Sequence, residues 1–154
     1  MFIVYVGADH RGFNLKENIK AVALALGYEV ADCGNEKYDE NDDYPDFAAA
    51  VAKKVSLDPE NARGILACGS GAGVDIVANK FLSVRSVLGM SPDHVYDARH
   101  DDNVNVLSIA ADFVDETQIE PMVKTFLATA YAGGGRFERR LKKIESIELK
   151  IKGE

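Results

Sequence analysis

The chain has 154 residues, 47% of them apolar and 28% charged, the make-up of one ordinary globular domain with a core of its own. A formal net charge of −7 argues against a nucleic-acid partner, which needs a basic stripe, but leaves room for a small anion in a local cationic pocket. No apolar run approaches the roughly 20 residues that span a bilayer, the apolar start Phe2–Val6 lacks a basic leader, and the two cysteines, Cys33 and Cys68, do not make a disulfide scaffold; the expectation is a cytoplasmic protein with no membrane partner.

Short β-branched runs alternate with helical periods, the pattern of βαβ units around a parallel sheet. The first strand is expected at Ile3–Val6. It leads through Asp9-His10-Arg11-Gly12 into a helix that sets Leu15, Ile19, Val22 and Leu26 on one face and closes at Gly27. A second strand follows at Glu29–Asp32. The acidic stretch from Glu36 to Asp46, which carries Tyr44-Pro45, reads as a solvated surface loop ahead of a helix over about 46–56. A third strand, Gly64–Ala67, runs into a helix over about 71–81, and a fourth, Ser86–Gly89, into a helix over about 92–100. The fifth strand is expected at Val104–Ser108, with helices after it over about 116–131 and 135–148. Pro121 falls within the first of these, so that helix begins at Pro121 or is kinked there. Several strands are almost wholly apolar, as when helices cover both sheet faces. The reading is a single domain over residues 1–154, a Rossmann-like three-layer α/β/α fold on a five-stranded parallel sheet.

Four segments carry candidate chemistry. Cys68-Gly69-Ser70-Gly71-Ala72-Gly73 joins an apolar strand to a helix, and its glycines let backbone N–H groups come close to an anion or a developing oxyanion. It is not a dinucleotide fingerprint, because Val74 stands where the third glycine belongs, and there is no Walker lysine. Cys68, between strand end and helix start, meets the positive end of the helix, which favours a thiolate able to act as nucleophile or base. A buried cysteine is equally a small apolar core residue; Cys33 is read that way. Asp9-His10-Arg11-Gly12 ends the first strand, with Asp9 either a ligand contact or a cap of the next helix. Arg136 and Arg140, after Gly133-Gly134-Gly135, share a helix face and can grip one phosphate together, or pair as surface charges with Glu138 or Glu145. His100, Asp101 and Asp102 suggest a metal at first sight, but consecutive residues rarely point at one ion, so no metal site is assigned.

Together these pieces resemble the sugar-phosphate isomerases, the family of type B ribose-5-phosphate isomerases and galactose-6-phosphate isomerase subunits. The matching segments are Gly7-Ala8-Asp9-His10-Arg11-Gly12-Phe13 with Leu15-Lys16, then Asp43-Tyr44-Pro45, Cys68 to Gly73 with Ala78-Asn79-Lys80, Asn105-Val106-Leu107, and Gly134-Gly135-Arg136 with Arg140. They occur in the family's order along nearly the whole chain. The resemblance implies an aldose–ketose isomerase that takes ribose 5-phosphate, or a related phosphosugar, through an enediolate. It implies Cys68 as the base, and Ser70 with the amides of Gly69, Gly71, Ala72 and Gly73 as the cradle of the enediolate oxygen. Asp9, His10 and Tyr44 become substrate contacts, while Arg136 and Arg140 become phosphate ligands reaching in from a neighbouring subunit. No metal or organic cofactor is implied, and the assembly is a homodimer with shared sites, open to pairing into a tetramer. The last helix would be the part that reaches the partner.

Three positions depart from the family's pattern. Its ring-opening histidine falls at Asp101, one residue after His100, which becomes the substitute acid only where the loop shifts by one position. A phosphate-binding arginine falls at Asp112, and a further histidine at Phe137. A carboxylate in place of an arginine turns attraction for phosphate into repulsion. The alternative reading is therefore a phosphosugar-binding or anion-binding member of the family with lost or altered activity.

Overall fold

The computed structural model describes residues 2–153, so the first and last positions of the expected domain lie outside the described residues. Five strands, β1 (Ile3–Ala8), β2 (Glu29–Asp32), β3 (Ala62–Cys68), β4 (Ser86–Leu88) and β5 (Val106–Ala110), form one parallel sheet in the order β2-β1-β3-β5-β4. The helices are α1 (Phe13–Ala25), α2 (Tyr44–Leu57), α3 (Ala72–Ala78), α4 (Pro92–Asp102), α5 (Glu116–Ala128) and α6 (Gly135–Lys152).

Alternation along the strands sorts the core into two slabs. Val4 and Val6 of β1, Ile65 and Ala67 of β3, and Leu107 and Ile109 of β5 face α1, α4 and α5, where they meet Leu15, Ile19, Val95, Met122 and Phe126. Leu66 and Cys68 face the other way, against Ala48, Val51 and Val55 of α2 and Val74 and Ala78 of α3. Because successive strand residues point to opposite faces, an all-apolar strand supplies both slabs at once. The expected three-layer architecture is the observed one.

Several boundaries differ from expectation, each for a physical reason. β5 runs to Ala110 because Ala67 and Cys68 pair with Ile109 and Ala110, a long-range register that local composition does not encode. On α1 the inward position is taken by Ala23, while Leu26 lies past the last helical residue and is largely exposed. Gly27, at φ +84°, ends that helix as expected. α2 starts at Tyr44, so Tyr44, Pro45 and Asp46 form a helical first turn and not a loop; Pro there has no N–H to lose. α5 starts at Glu116, not at Pro121, because Asp115 accepts a hydrogen bond from Thr117 N (2.8 Å) and caps it; the proline sits one and a half turns in.

The order of the sheet positions the site. β1 sends its chain to β2 on one side, while β3 lies on its other side. That is a reversal point of an open α/β sheet, where a crevice opens beyond the carboxyl ends of the strands.

Candidate active site

The two glycine-containing loops after β1 and β3 meet in this crevice. Gly12 packs directly on β3: a side-chain carbon built on it would stand 2.6 Å from the Ala67 carbonyl oxygen. The first loop is tied down by Asp9, nearly buried, whose Oδ1 accepts from Arg11 N (3.0 Å) and Gly12 N (3.1 Å). Asp9 thus shapes its own loop and does not cap α1, whose N-cap is Gly12.

In the second loop Gly71 adopts φ +70°, and a side-chain carbon there would lie 2.9 Å from Ala110 N, so both space and backbone require glycine. α3 begins at Ala72 and lasts only to Ala78. Ser70 is exposed; its Oγ accepts from Ala72 N at 3.4 Å. Tyr44, at the start of α2, lays its ring against Gly73, with ring carbons 2.7 Å from where a side chain would begin. Asp9, His10, Tyr44 and the stretch Cys68–Gly73 therefore gather at one edge of the sheet.

Cys68 is the last residue of β3 and only 4% exposed, grouped with Leu66 and Val74 in the α2–α3 slab. It is more enclosed than its sequence surroundings suggest. Its neighbours on the loop side are Gly69, also buried, and the exposed Ser70. The thiol lies at the boundary between core and crevice, shielded from bulk water. Cys33 is half-buried, and burial followed by the nearby Asp32 carboxylate pushes its thiol up from the ordinary value, as befits a structural residue.

A buried acid that sequence reading missed orients His10. Asp42 Oδ1 lies 2.8 Å from His10 Nδ1 and accepts from His10 N at 2.9 Å, while its Oδ2 accepts from Asn35 Nδ2 at 3.1 Å. The Asp42 side chain is 6% exposed, whereas the sequence showed only one acid among many in a polar stretch. Behind it, Lys16 is fully buried and donates to Asn35 O (2.6 Å) and Asp32 Oδ2 (2.8 Å). A relay of hydrogen bonds thus runs from Lys16 through Asn35 and Asp42 to the imidazole.

The bond to Asp42 raises the His10 pKa above 6.5; partial desolvation opposes this and the Asp9 charge adds to it. Since the folded value is the higher one, the stabilisation of the imidazolium is fully present below the unfolded pKa and is lost as pH rises through the folded one. A histidine NMR titration should therefore place His10 above its ordinary value, and Asp42→Asn should bring it down. An unshifted His10 would remove Asp42 from this role.

The remaining predicted residues form a second group elsewhere. His100 stacks on Tyr96 (5.4 Å between ring centroids), meets the edge of Phe137 (5.6 Å), and hydrogen-bonds Asp101 (2.7 Å). Arg136 lies over the Phe137 ring at 4.9 Å, and both Arg136 and Arg140 are exposed. Glu138 pairs with Lys142, not with either arginine. α4 ends beside the start of β4 and β5, where Arg85 Nε donates to Asn103 O (2.9 Å). His100 is therefore at the amino edge of the sheet, while Cys68, paired with Ala110, is at the carboxyl edge, with the length of β5, roughly 13 Å at strand rise, between the two edges. Within one chain the two groups do not meet. A cavity of about 600 Å³ also lies on the His100 side, lined by Arg85, His94, Asp97, Asp101, Asp102 and Ile144 among others. Among the described residues no group of three His, Cys, Asp or Glu side chains is arranged to hold a metal ion, and no helix is long and apolar enough to cross a membrane.

The profile of the ribose/galactose isomerases matches residues 4–144. A probable ribose-5-phosphate isomerase B of Mycoplasma genitalium is 39% identical over 147 residues, 96% of each chain. The ribose-5-phosphate isomerase B of Escherichia coli is 37% identical over 142 residues, covering 92% of this chain and 93% of that protein. A crystal structure of the Mycoplasma genitalium ribose-5-phosphate isomerase B with bound ribulose 5-phosphate superposes with a TM-score of 0.91 over 96% of both chains.

Proposed function

The chain belongs to the ribose/galactose isomerase family, and from that premise we propose that it interconverts ribose 5-phosphate and ribulose 5-phosphate with Cys68 as the base. The observation that carries this reading is the meeting of the Asp9–Gly12 and Cys68–Gly73 loops in one crevice of a fold that a ribulose 5-phosphate-bound isomerase shares.

The chemistry follows from the open-chain sugar. Cys68 takes the proton from C2 of the aldose as negative charge moves onto the C1 oxygen, giving an enediolate. Ser70 and the amides of Gly69 to Gly73 surround that oxygen, and fixed N–H donors lower the energy of a developing charge without having to reorganise. The proton returns at C1, the hydroxyl proton of C2 passes to the C1 oxygen, and the ketose leaves; atoms and electrons balance with no cofactor. Low exposure of the thiol keeps water away from a reactive carbanion-like intermediate. Asp9 and Tyr44 line the crevice, and His10, held by Asp42, offers it an imidazole whose protonated form that bond favours.

The active unit is a homodimer with shared sites, able to pair into a tetramer. Supporting this, His100, Arg136 and Arg140 gather far from Cys68 of their own chain. In addition, α6 leaves Ile144, Ile147 and Ile151 exposed at i, i+3 and i+7, an apolar stripe suited to a second copy. Arg136 and Arg140 then act as phosphate ligands, and His100 acts as the ring-opening acid in the partner's crevice. The unbridged Cys33 and Cys68 suit the cytoplasm.

Incubation with ribose 5-phosphate should give ribulose 5-phosphate at on the order of 1–1000 turnovers per second, unchanged by a chelator. Tight binding of the phosphosugar without conversion would instead make the chain a binding member of the family.

A further inference from the structure

Arg11 has no part in the chemistry above, yet its side chain lies directly on the oxyanion cradle. A side-chain carbon on Gly69 would collide with the Arg11 guanidinium, standing 2.7 Å from Nη1, so the cation occupies the space that glycine leaves open. Its Nη2 pairs with the Asp112 carboxylate. Asp112 is itself fixed to the same glycine, since its N–H donates to Gly69 O at 3.0 Å. The backbone of Arg11 is held by Asp9. An arginine from the loop after β1 and an acid from the loop after β5 thus close over the loop after β3 and clasp each other at the mouth of the crevice.

The pair is 56% and 37% exposed, open to an incoming ligand. An exposed pair of this kind adds little to fold stability, so a competitor can separate it at small cost. A phosphate is such a competitor, carrying up to two charges and matching the planar fork of a guanidinium with two parallel hydrogen bonds. The other groups facing this mouth are His10, hydrogen-bonded to Asp42, and the acids Asp9 and Asp42, both already engaged by their own hydrogen bonds.

We propose that Arg11 is a phosphate ligand supplied by the chain that also supplies Cys68, and that Asp112 is its positioning residue, holding the guanidinium over Gly69 until a substrate phosphate takes it. The proposal rests on the isomerase reading for the identity of the sugar, but not for the recognition of phosphate.

Two measurements test it. In steady-state kinetics, Arg11→Gln should lower the ratio of kcat/KM for ribose 5-phosphate to kcat/KM for unphosphorylated ribose by about tenfold or more, with Arg11→Lys recovering part of the loss. By calorimetry, inorganic phosphate should bind about tenfold more weakly to Arg11→Gln and a few-fold more tightly to Asp112→Asn, which has lost the competing charge. A ratio that stays within about twofold of wild type, or phosphate binding untouched by Arg11→Gln, overturns the proposal. Should the wild-type protein fail to isomerise ribose 5-phosphate, the functional reading falls, and calorimetry with inorganic phosphate still decides the role of Arg11.

Discussion

Cys68→Ala is expected to lower kcat for ribose 5-phosphate roughly a thousandfold, within the range that a positioned proton-transfer group contributes. KM should change little, because the base acts on the substrate only as the transition state forms. The thermal midpoint is the control. Cys68 packs against Leu66 and Val74, so losing its sulfur removes some apolar contact, worth about 1 kcal/mol at a well-packed site. A folded variant with unimpaired turnover would make the sulfur a core atom only, and the proton would have to be taken by another group of the crevice. The 4% exposure of Cys68 gives the experiment its weight, since burial is compatible with a core residue and with a base sheltered from water.

The second large effect concerns two inactive proteins that work when mixed. A Cys68→Ala chain lacks the base, and an Arg136→Ala/Arg140→Ala chain lacks the proposed phosphate ligands. If each site takes Cys68 from one chain and the arginines from the other, a mixed dimer has one site with both defects and one that is intact. Random reassortment makes about half the dimers mixed, so activity should recover to about one quarter of wild type. The sheet makes this a sharp test, because within a chain the two groups stand at opposite ends of β5. Recovery indistinguishable from zero after subunit exchange would place the arginines outside the site.

What could be read from residues alone was local. The Glu29–Asp32 strand and the glycine that ends α1 follow from short-range pattern, because period and glycine placement are properties of neighbouring residues, whereas the atoms that crowd Gly12, Gly71 and Gly73 come from other elements far along the chain. Strand order was not readable, and with it went the distance between His100 and Cys68. That distance depends on α4 returning the chain to the amino edge of the sheet, which no run of residues announces. Asp42 was hidden for another reason: in the stretch from Glu36 to Asp46 acids are frequent, and only a contact across 32 positions separates the buried one from the solvated ones. Asp112 looked like a charge that would repel phosphate. Its pairing with Arg11, 101 positions away, sets a cation beside that charge, a contact no local pattern announces.

The relay behind His10 has a consequence for the loop it passes through. Asn35 is fastened by Lys16 at one end and Asp42 is fastened to His10 at the other, so the stretch from Glu36 to Asn41 is a handle with both feet bolted to the body of the domain. Lengthening such a handle changes its closure entropy only slowly, and the exposed residues that follow Tyr38, whose ring meets the edges of His10 and Phe13, bury nothing that an inserted residue would disturb. Insertions and tags should be carried there with the imidazole unmoved, whereas the same additions a few residues to either side would unfasten it.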